Sequence, residues 1–116
     1  MGGGAFQFAN SNELWRASLD VIDFMPLSSA NYSGGIIITD WYSENSNPNE
    51  SIKISIRFLT NEIRSDALDI KIFNKKCDNN FQNCKFTNSS EVLVAELKKE
   101  ILKTAAIYKD EEKDKQ

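Results

Sequence analysis

The chain has 116 residues and a mass of 13.2 kDa, which is enough for one domain and too little for a second hydrophobic core. The formal net charge of −3 argues against a nucleic-acid partner, because phosphate binding needs a clustered basic surface. The sequence has no histidine, so the most common general base and transition-metal ligand is missing. We therefore predict no catalytic residue, no metal ligand and no cofactor.

The first predicted element is an amphipathic helix that begins near Asn10 and ends before Pro26. Asn10 and its neighbours provide an N-cap, with Glu13 three residues later. Apolar residues from Leu14 onward recur at helical spacing, and the residue before Pro26 is disfavoured in helical geometry. Residues 27–35 are small and polar, and the prediction for them is a loop in which Gly34 and Gly35 supply backbone freedom.

Three strands are predicted next. The first covers about residues 35–42 and contains a run of three isoleucines, which is typical of a central strand. The second covers residues 52–60, and its isoleucines alternate with Lys53, Ser55 and Arg57, so that one face of the sheet is apolar and the other polar. The third covers about residues 66–73. A polar loop at 74–86 follows, in which a short extra strand around residues 85–86 is an open alternative.

The last predicted element is a second amphipathic helix from about Ser89 to Tyr108. The order α-β-β-β-α predicts an α+β fold, a two-layer sandwich in which two helices pack on one face of a small antiparallel meander sheet. A single domain would then span residues 10–108. Residues 109–116 are predicted to be a disordered charged tail, and residues 1–9 a disordered start or the remnant of a cut after a removed leader.

Cys77 and Cys84 are the only cysteines, and they lie in the polar loop after the third strand. An even number of cysteines in a loop is compatible with a disulfide in an oxidising compartment. The alternative is a pair of reduced thiols in a cytosolic protein. Two thiols without histidine are too few ligands for a zinc site.

Four residues near the first strand form the candidate interaction patch: Tyr32, Asp40, Trp41 and Tyr42. Their aromatic rings would bind a protein partner or a glycan if they were partly exposed, and would belong to the core if they were buried. Asp40 could instead work with a second carboxylate in acid–base catalysis, although no sequence pattern brings such a pair together. Open edges of a small sheet could also receive a strand from a second copy of the chain.

Several segments give the chain a specific resemblance: residues 14–20, the run Phe24-Met25-Pro26-Leu27, residues 34–42, Pro48-Asn49-Glu50 and residues 64–68. With these, the chain resembles an uncharacterised alphaproteobacterial family, domain of unknown function 3576, over about residues 10–108. Members of that family often carry a lipoprotein-type leader. The resemblance implies a periplasmic domain held at the membrane through a lipid anchor upstream of this sequence, which agrees with a disulfide between Cys77 and Cys84. It implies no activity and no catalytic residues.

These observations lead to one main hypothesis and two alternatives. The main hypothesis is a non-catalytic domain of the cell envelope, periplasmic and lipid-anchored, that binds or scaffolds an envelope protein partner. The alternatives are a small carboxylate-dependent hydrolase that uses Asp40, and a cytosolic ligand-binding homodimer.

Overall fold

The computed structural model describes residues 12–44, 46–89 and 91–114. Helix α1 (Glu13–Val21) is followed by strands β1 (Leu27–Asn31), β2 (Ile36–Thr39) and β3 (Glu50–Phe58). A 3-10 turn (Ser65–Ala67) then leads to β4 (Leu68–Lys76) and β5 (Lys85–Asn88), and helix α2 (Glu91–Asp114) completes the fold. The strands form one antiparallel meander in the order β1-β2-β3-β4-β5. The predicted α+β class and the packing of the sheet against helices are confirmed.

The alternating residues of β3 and β4 divide the sheet into an inner and an outer face. Ile54 lies opposite Ile72, and Ile56 lies between Ile37 and Ile70, so all five isoleucines point to the inner face. Buried residues of both helices, and Ile22 directly after α1, join them in one core: Leu14, Trp15, Ala17, Ile22, Ile101 and Ala105. Each large aliphatic side chain buried in this way contributes about 1.5–3 kcal/mol, so the helices are held by packing on the inner face.

The ends of α1 and the turn before β2 follow the predicted local chemistry with shifted boundaries. Asn12 is the N-cap of α1, and its side-chain oxygen accepts a hydrogen bond from the Trp15 amide at 3.1 Å. The predicted start at Asn10 lies outside the described residues. The helix ends at Val21, before Pro26. Gly35 has a φ of 65°, and a Cβ there would lie 3.2 Å from the Phe58 carbonyl oxygen, so this turn requires glycine.

The sheet has two edge strands besides the three predicted strands: one replaces the loop predicted for residues 27–35, which is wrong, and the other is the extra strand left open around residues 85–86. Residues 27–35 were predicted as a loop, but β1 pairs with β2 over residues 27–31. β5 spans Lys85–Asn88, four residues rather than the two considered. All residues of both strands are exposed, so neither has the apolar alternation that marks a half-buried strand. Pairing with a neighbouring strand, which the sequence pattern does not reveal, makes them part of the sheet.

The charged residues after Tyr108 were predicted to be disordered, but α2 continues through Asp114. Contacts with α1 stabilise this extension. The Tyr108 hydroxyl donates a hydrogen bond to Asp20, the Arg16 guanidinium lies 4.4 Å from the centre of the Tyr108 ring, and Arg16 also pairs with Glu112 at 3.9 Å. No helix in the described ranges is both long and apolar enough to span a membrane.

Candidate functional site

A β-bulge at the end of β2 decides which side chains reach each face of the sheet. Ile38 pairs with Ser55, whereas Tyr42 pairs with Ile52, so three residues of one chain segment lie opposite two of the other. Uninterrupted alternation from Thr39, which is fully buried, would turn Trp41 toward the core. The extra residue shifts the alternation by one. Tyr42 therefore lies on the inner face and Trp41 on the outer face.

Thr39 compensates for the backbone pairing that the bulge interrupts. The amide of Ile54 donates a hydrogen bond to the Thr39 hydroxyl at 2.9 Å rather than to a backbone carbonyl. Asp40 continues the pairing on the other side, since its amide bonds the Pro26 carbonyl at 2.9 Å. The Ile54 amide is buried, and a buried donor without a partner is costly. The Thr39 hydroxyl is thus part of the structure that directs Trp41 outward.

On the outer face, Trp41 is the centre of an aromatic and cationic group. The rings of Trp41 and Phe86 lie 5.9 Å apart between centroids. The Nζ atoms of Lys75 and Lys53 lie 4.9 Å and 5.7 Å from the Trp41 ring centre. Phe73 joins the same two rings in lining a groove of about 290 Å³. We call these five residues the Trp41 face.

The outer face is positively charged although the chain as a whole is negative. By strand register its ionisable residues are four cations and one anion: Lys53, Arg57, Lys71, Lys75 and Asp69. Arg57 lies directly opposite Asp69, which leaves the three lysines as excess charge. Within the described chain, no ion pair involves these lysines. The surface around Trp41 therefore favours anionic groups.

A separate cleft opens on the inner face, at the end of the sheet beyond α1. Its volume is about 530 Å³, and its apolar wall includes Phe24 and Tyr42, whose rings meet edge to face at 5.4 Å. Phe24 remains 58% exposed, so this wall is open to solvent. The charged residues lining the cleft include Glu44 and the ion pair between Glu50 and Lys76, whose N–O distance is 3.5 Å.

The loop between β4 and β5 is closed by a disulfide between Cys77 and Cys84, whose Cα atoms are 3.9 Å apart. Asn49 fixes the first cysteine at the start of β3, because its carbonyl accepts from the Cys77 amide at 2.9 Å and its side chain donates to the Cys77 carbonyl at 3.0 Å. The disulfide thus lies at the end of the sheet from which β5 begins.

Asp78 orders the backbone inside this disulfide loop. Its carboxylate accepts hydrogen bonds at 2.9 Å from the amides of Asn80 and Gln82 and from the Asn83 side chain. These donors, the Gln82 amide above all, lower the pKa of Asp78 below its usual value. Phe81 and Asn83 have positive φ values of 60° and 53°, which the carboxylate contacts help to hold.

The four residues of the predicted interaction patch do not form one patch. Tyr32 lies in the turn before β2 and packs edge to face on Trp15 at 5.0 Å, against the core. Asp40 is exposed at the bulge and lines neither the cleft nor the groove. Trp41 and Tyr42 point to opposite faces. These four residues therefore lie on different surfaces, because neighbours in the sequence of a strand point to opposite faces.

Sequence reasoning missed Phe73, Phe86, Lys53 and Lys75 as partners of Trp41. The alternation of β3 did place Lys53 on the outer face, and the same period in β4 places Phe73 and Lys75 there. An aromatic residue on the polar face of a strand was therefore a usable signal. In the described ranges, no group of three or more histidine, cysteine, aspartate and glutamate side chains could hold a metal ion.

Comparison with known sequences places the chain in a family. The sequence model of the family described as "Domain of unknown function (DUF3576)" matches residues 8–110. The chain belongs to this family. A relative of this DUF3576 domain is the uncharacterized protein RP420 of Rickettsia prowazekii, which is 48% identical over 60 residues. That alignment covers 52% of the present chain and only 36% of the rickettsial protein. No solved structure matches the chain.

Proposed function

We propose that this chain is a non-catalytic binding or scaffold domain of the bacterial cell envelope, and that it contacts its partner protein through the Trp41 face. The observation that carries the proposal is the outward position of Trp41 beside Phe86, on the side of the sheet that the helices leave uncovered. Phe86 is 65% exposed. A ring exposed to this extent contributes little to the core, whereas aromatic anchors beside cations are typical of binding surfaces.

The disulfide supports a location in an oxidising compartment. Disulfides form and persist in the periplasm and are rare in the cytosol. Cys77 and Cys84 are close enough to be bonded, and Asn49 and Asp78 hold the loop in the required geometry. The lipoprotein-type leader that the family resemblance implies would place the domain at the membrane, facing the periplasm.

The position of Asp40 supports a binding role over the hydrolase alternative. A carboxylate pair for hydrolysis must face one substrate pocket. Asp40 lies outside both the cleft and the groove. Glu50, which does line the cleft, is paired with Lys76.

The envelope location is tested by fractionating cells that express the full-length, untagged protein and by alkylating thiols before and after reduction. We expect the protein in the envelope fraction, with Cys77 and Cys84 protected from alkylation until a reductant is added. Recovery in the cytosol with both thiols reactive would refute the envelope assignment.

The binding role is tested with a photo-crosslinking amino acid introduced in the same cells at Phe86 or, as the control, at Glu96. Both positions are exposed, but Glu96 lies on α2, on the opposite side of the sheet. We expect a discrete crosslinked species from the first position and none from the second. Equal crosslinking from both positions, or none from either, would refute the Trp41 face as the contact surface.

A further inference from the structure

We infer that the Trp41 face and the free edge of β5 together bind an extended acidic peptide segment of the partner protein, added to the sheet as a sixth strand. The inference rests on the proposed binding function and specifies its partner. It depends on three features of the described residues: the direction of the backbone groups in β5, the groove beside them, and the excess positive charge next to the groove.

Among the described residues, no strand pairs with the outer edge of β5, whose backbone groups there are unpaired. The Ser89 amide bonds the Ile72 carbonyl at 2.9 Å, and hydrogen-bonding positions alternate along an antiparallel strand. Thr87 and Lys85 therefore face β4, whereas the amide and carbonyl of Phe86 and Asn88 point away from it. Such a row of alternating donors and acceptors is complementary to the backbone of an extended peptide.

The groove lies where side chains of an added strand would fall. In a paired strand, residues directly opposite each other share a face of the sheet. Phe86 and Asn88 are on the outer face, opposite Lys75 and Phe73, and both line the groove with Trp41. A large apolar side chain opposite Phe86 or Asn88 would therefore enter the groove between the aromatic rings.

Charge selects an acidic peptide. Lys53 and Lys75 lie beside the groove and are two of the three excess cations already described. Carboxylates on the incoming strand would meet these groups at the rim, where opposite charges accelerate association and reject basic peptides.

The same features disfavour other occupants. A second copy of the chain pairing through its own β5 would place two cationic outer faces side by side in one sheet. A nucleic acid would meet the lysines and stack on the rings, but its backbone has no amide donors for the exposed carbonyls of Phe86 and Asn88. An extended acidic peptide would pair with the backbone of β5, place a side chain in the groove and bring carboxylates to the lysines.

The test is a selection from a phage-displayed library of random 12-residue peptides against the purified protein with its disulfide intact. We expect enrichment of acidic peptides that carry an aromatic or large aliphatic residue. The variant with Lys53→Glu and Lys75→Glu should not enrich them. Its charge-matched control, Lys99→Glu with Lys103→Glu on exposed positions of α2, should enrich them as the wild type does.

Fluorescence anisotropy of one enriched synthetic peptide then separates the contribution of the lysines to binding from that of the β5 backbone. We expect about tenfold weaker binding to the Lys53→Glu, Lys75→Glu variant, and weaker binding at high salt. Asn88→Pro removes the outward amide without breaking a bond to β4, and Asn88→Ala keeps it. Both variants lack the Asn88 side chain, so the difference between their affinities for the peptide measures the contribution of the backbone amide. The proline variant should bind about fivefold more weakly than the alanine variant.

Four results would overturn the inference: enrichment without acidic peptides, equal binding by the two Asn88 variants, unchanged binding after the lysine reversal, and a concentration-dependent dimer that competes with the peptide. Circular dichroism of each variant distinguishes lost binding from lost folding. Crosslinking from Phe86 in cells combined with failure of the peptide selection would leave the proposed binding role standing and refute only the acidic strand.

Discussion

Replacing Thr39 with valine tests the role of the β-bulge most directly. Valine has nearly the shape of threonine but no hydroxyl, so the buried amide of Ile54 loses its acceptor while the packing volume is kept. Leaving a buried donor unsatisfied costs about 1–3 kcal/mol. For a domain of this size, each kcal/mol lowers the melting temperature by about 4–8 °C.

The matched control is Thr39→Ser, which keeps the hydroxyl and removes only the methyl group, at a cost of about 0.8 kcal/mol. Urea denaturation measures the free energy of unfolding of both variants. Because the two ranges of free energy come close, amide hydrogen exchange provides the specific readout. The Ile54 amide should exchange faster in the valine variant, by roughly tenfold for each 1.4 kcal/mol lost, and remain protected in the serine variant.

Two results would refute this reasoning. If Thr39→Val were as stable as Thr39→Ser and its Ile54 amide stayed protected, the hydroxyl would not be the partner that the bulge requires. If the Ile56 amide, in the regular part of β3, exchanged as fast as that of Ile54, the effect would be general destabilisation rather than a local loss.

Three further predictions concern the chain outside the bulge. The hydrogen bond to Asp20, desolvation and the charge of Asp20 raise the pKa of Tyr108 above 10.0. The contribution of this hydrogen bond to stability is therefore present below pH 10 and is lost as the pH rises through the raised pKa. Ultraviolet titration should show one tyrosine that ionises at a higher pH than the others, and Tyr108→Phe should remove that late transition. The pKa of Asp78 is lowered, so the contribution of its carboxylate to stability is present above pH 3.8 and is lost as the pH falls through the lowered pKa. Titration of the Asp78 carboxyl group by nuclear magnetic resonance should detect the lowered pKa, and a normal pKa would contradict the three hydrogen bonds. Replacing Cys77 and Cys84 together with serine should lower the unfolding free energy by about 2–3 kcal/mol, as measured by urea denaturation, and unchanged stability would show that the bond does not constrain the unfolded chain.

Elements with strong periodicity could be read from the sequence. The alternation of Ile52, Ile54 and Ile56 with polar residues gave β3 and the orientation of its two faces, because a half-buried strand imposes a period of two. The two helices were found in the same way, from apolar spacing and N-cap residues. These parts of the fold depend on local patterns.

Features that depend on long-range pairing between segments could not be predicted from the sequence. β1 has no alternation, and its place in the sheet comes from hydrogen bonds to β2. The bulge is a mismatch between two segments that are separated in the sequence by the loop before β3, so neither segment shows it alone. Without the bulge, Trp41 and Tyr42 could not be assigned to faces, and the candidate site could not be assembled. Local propensity likewise could not show that α1 supports α2 beyond Tyr108.

The bulge also means that the face on which Trp41 lies is set by its distance in sequence from Tyr42 and not by its distance from Ile38. Deleting Asp40 would remove the extra residue, so Ile38 and Tyr42 could keep their partners without a bulge, and Trp41 would still lie opposite Lys53 on the outer face. A family member that is one residue shorter here would therefore keep both the architecture and the recognition surface. A tryptophan immediately before the residue that pairs with Ile52, whatever the length of the connection, is therefore a simple marker for sorting relatives that share the proposed role from those that share only the fold.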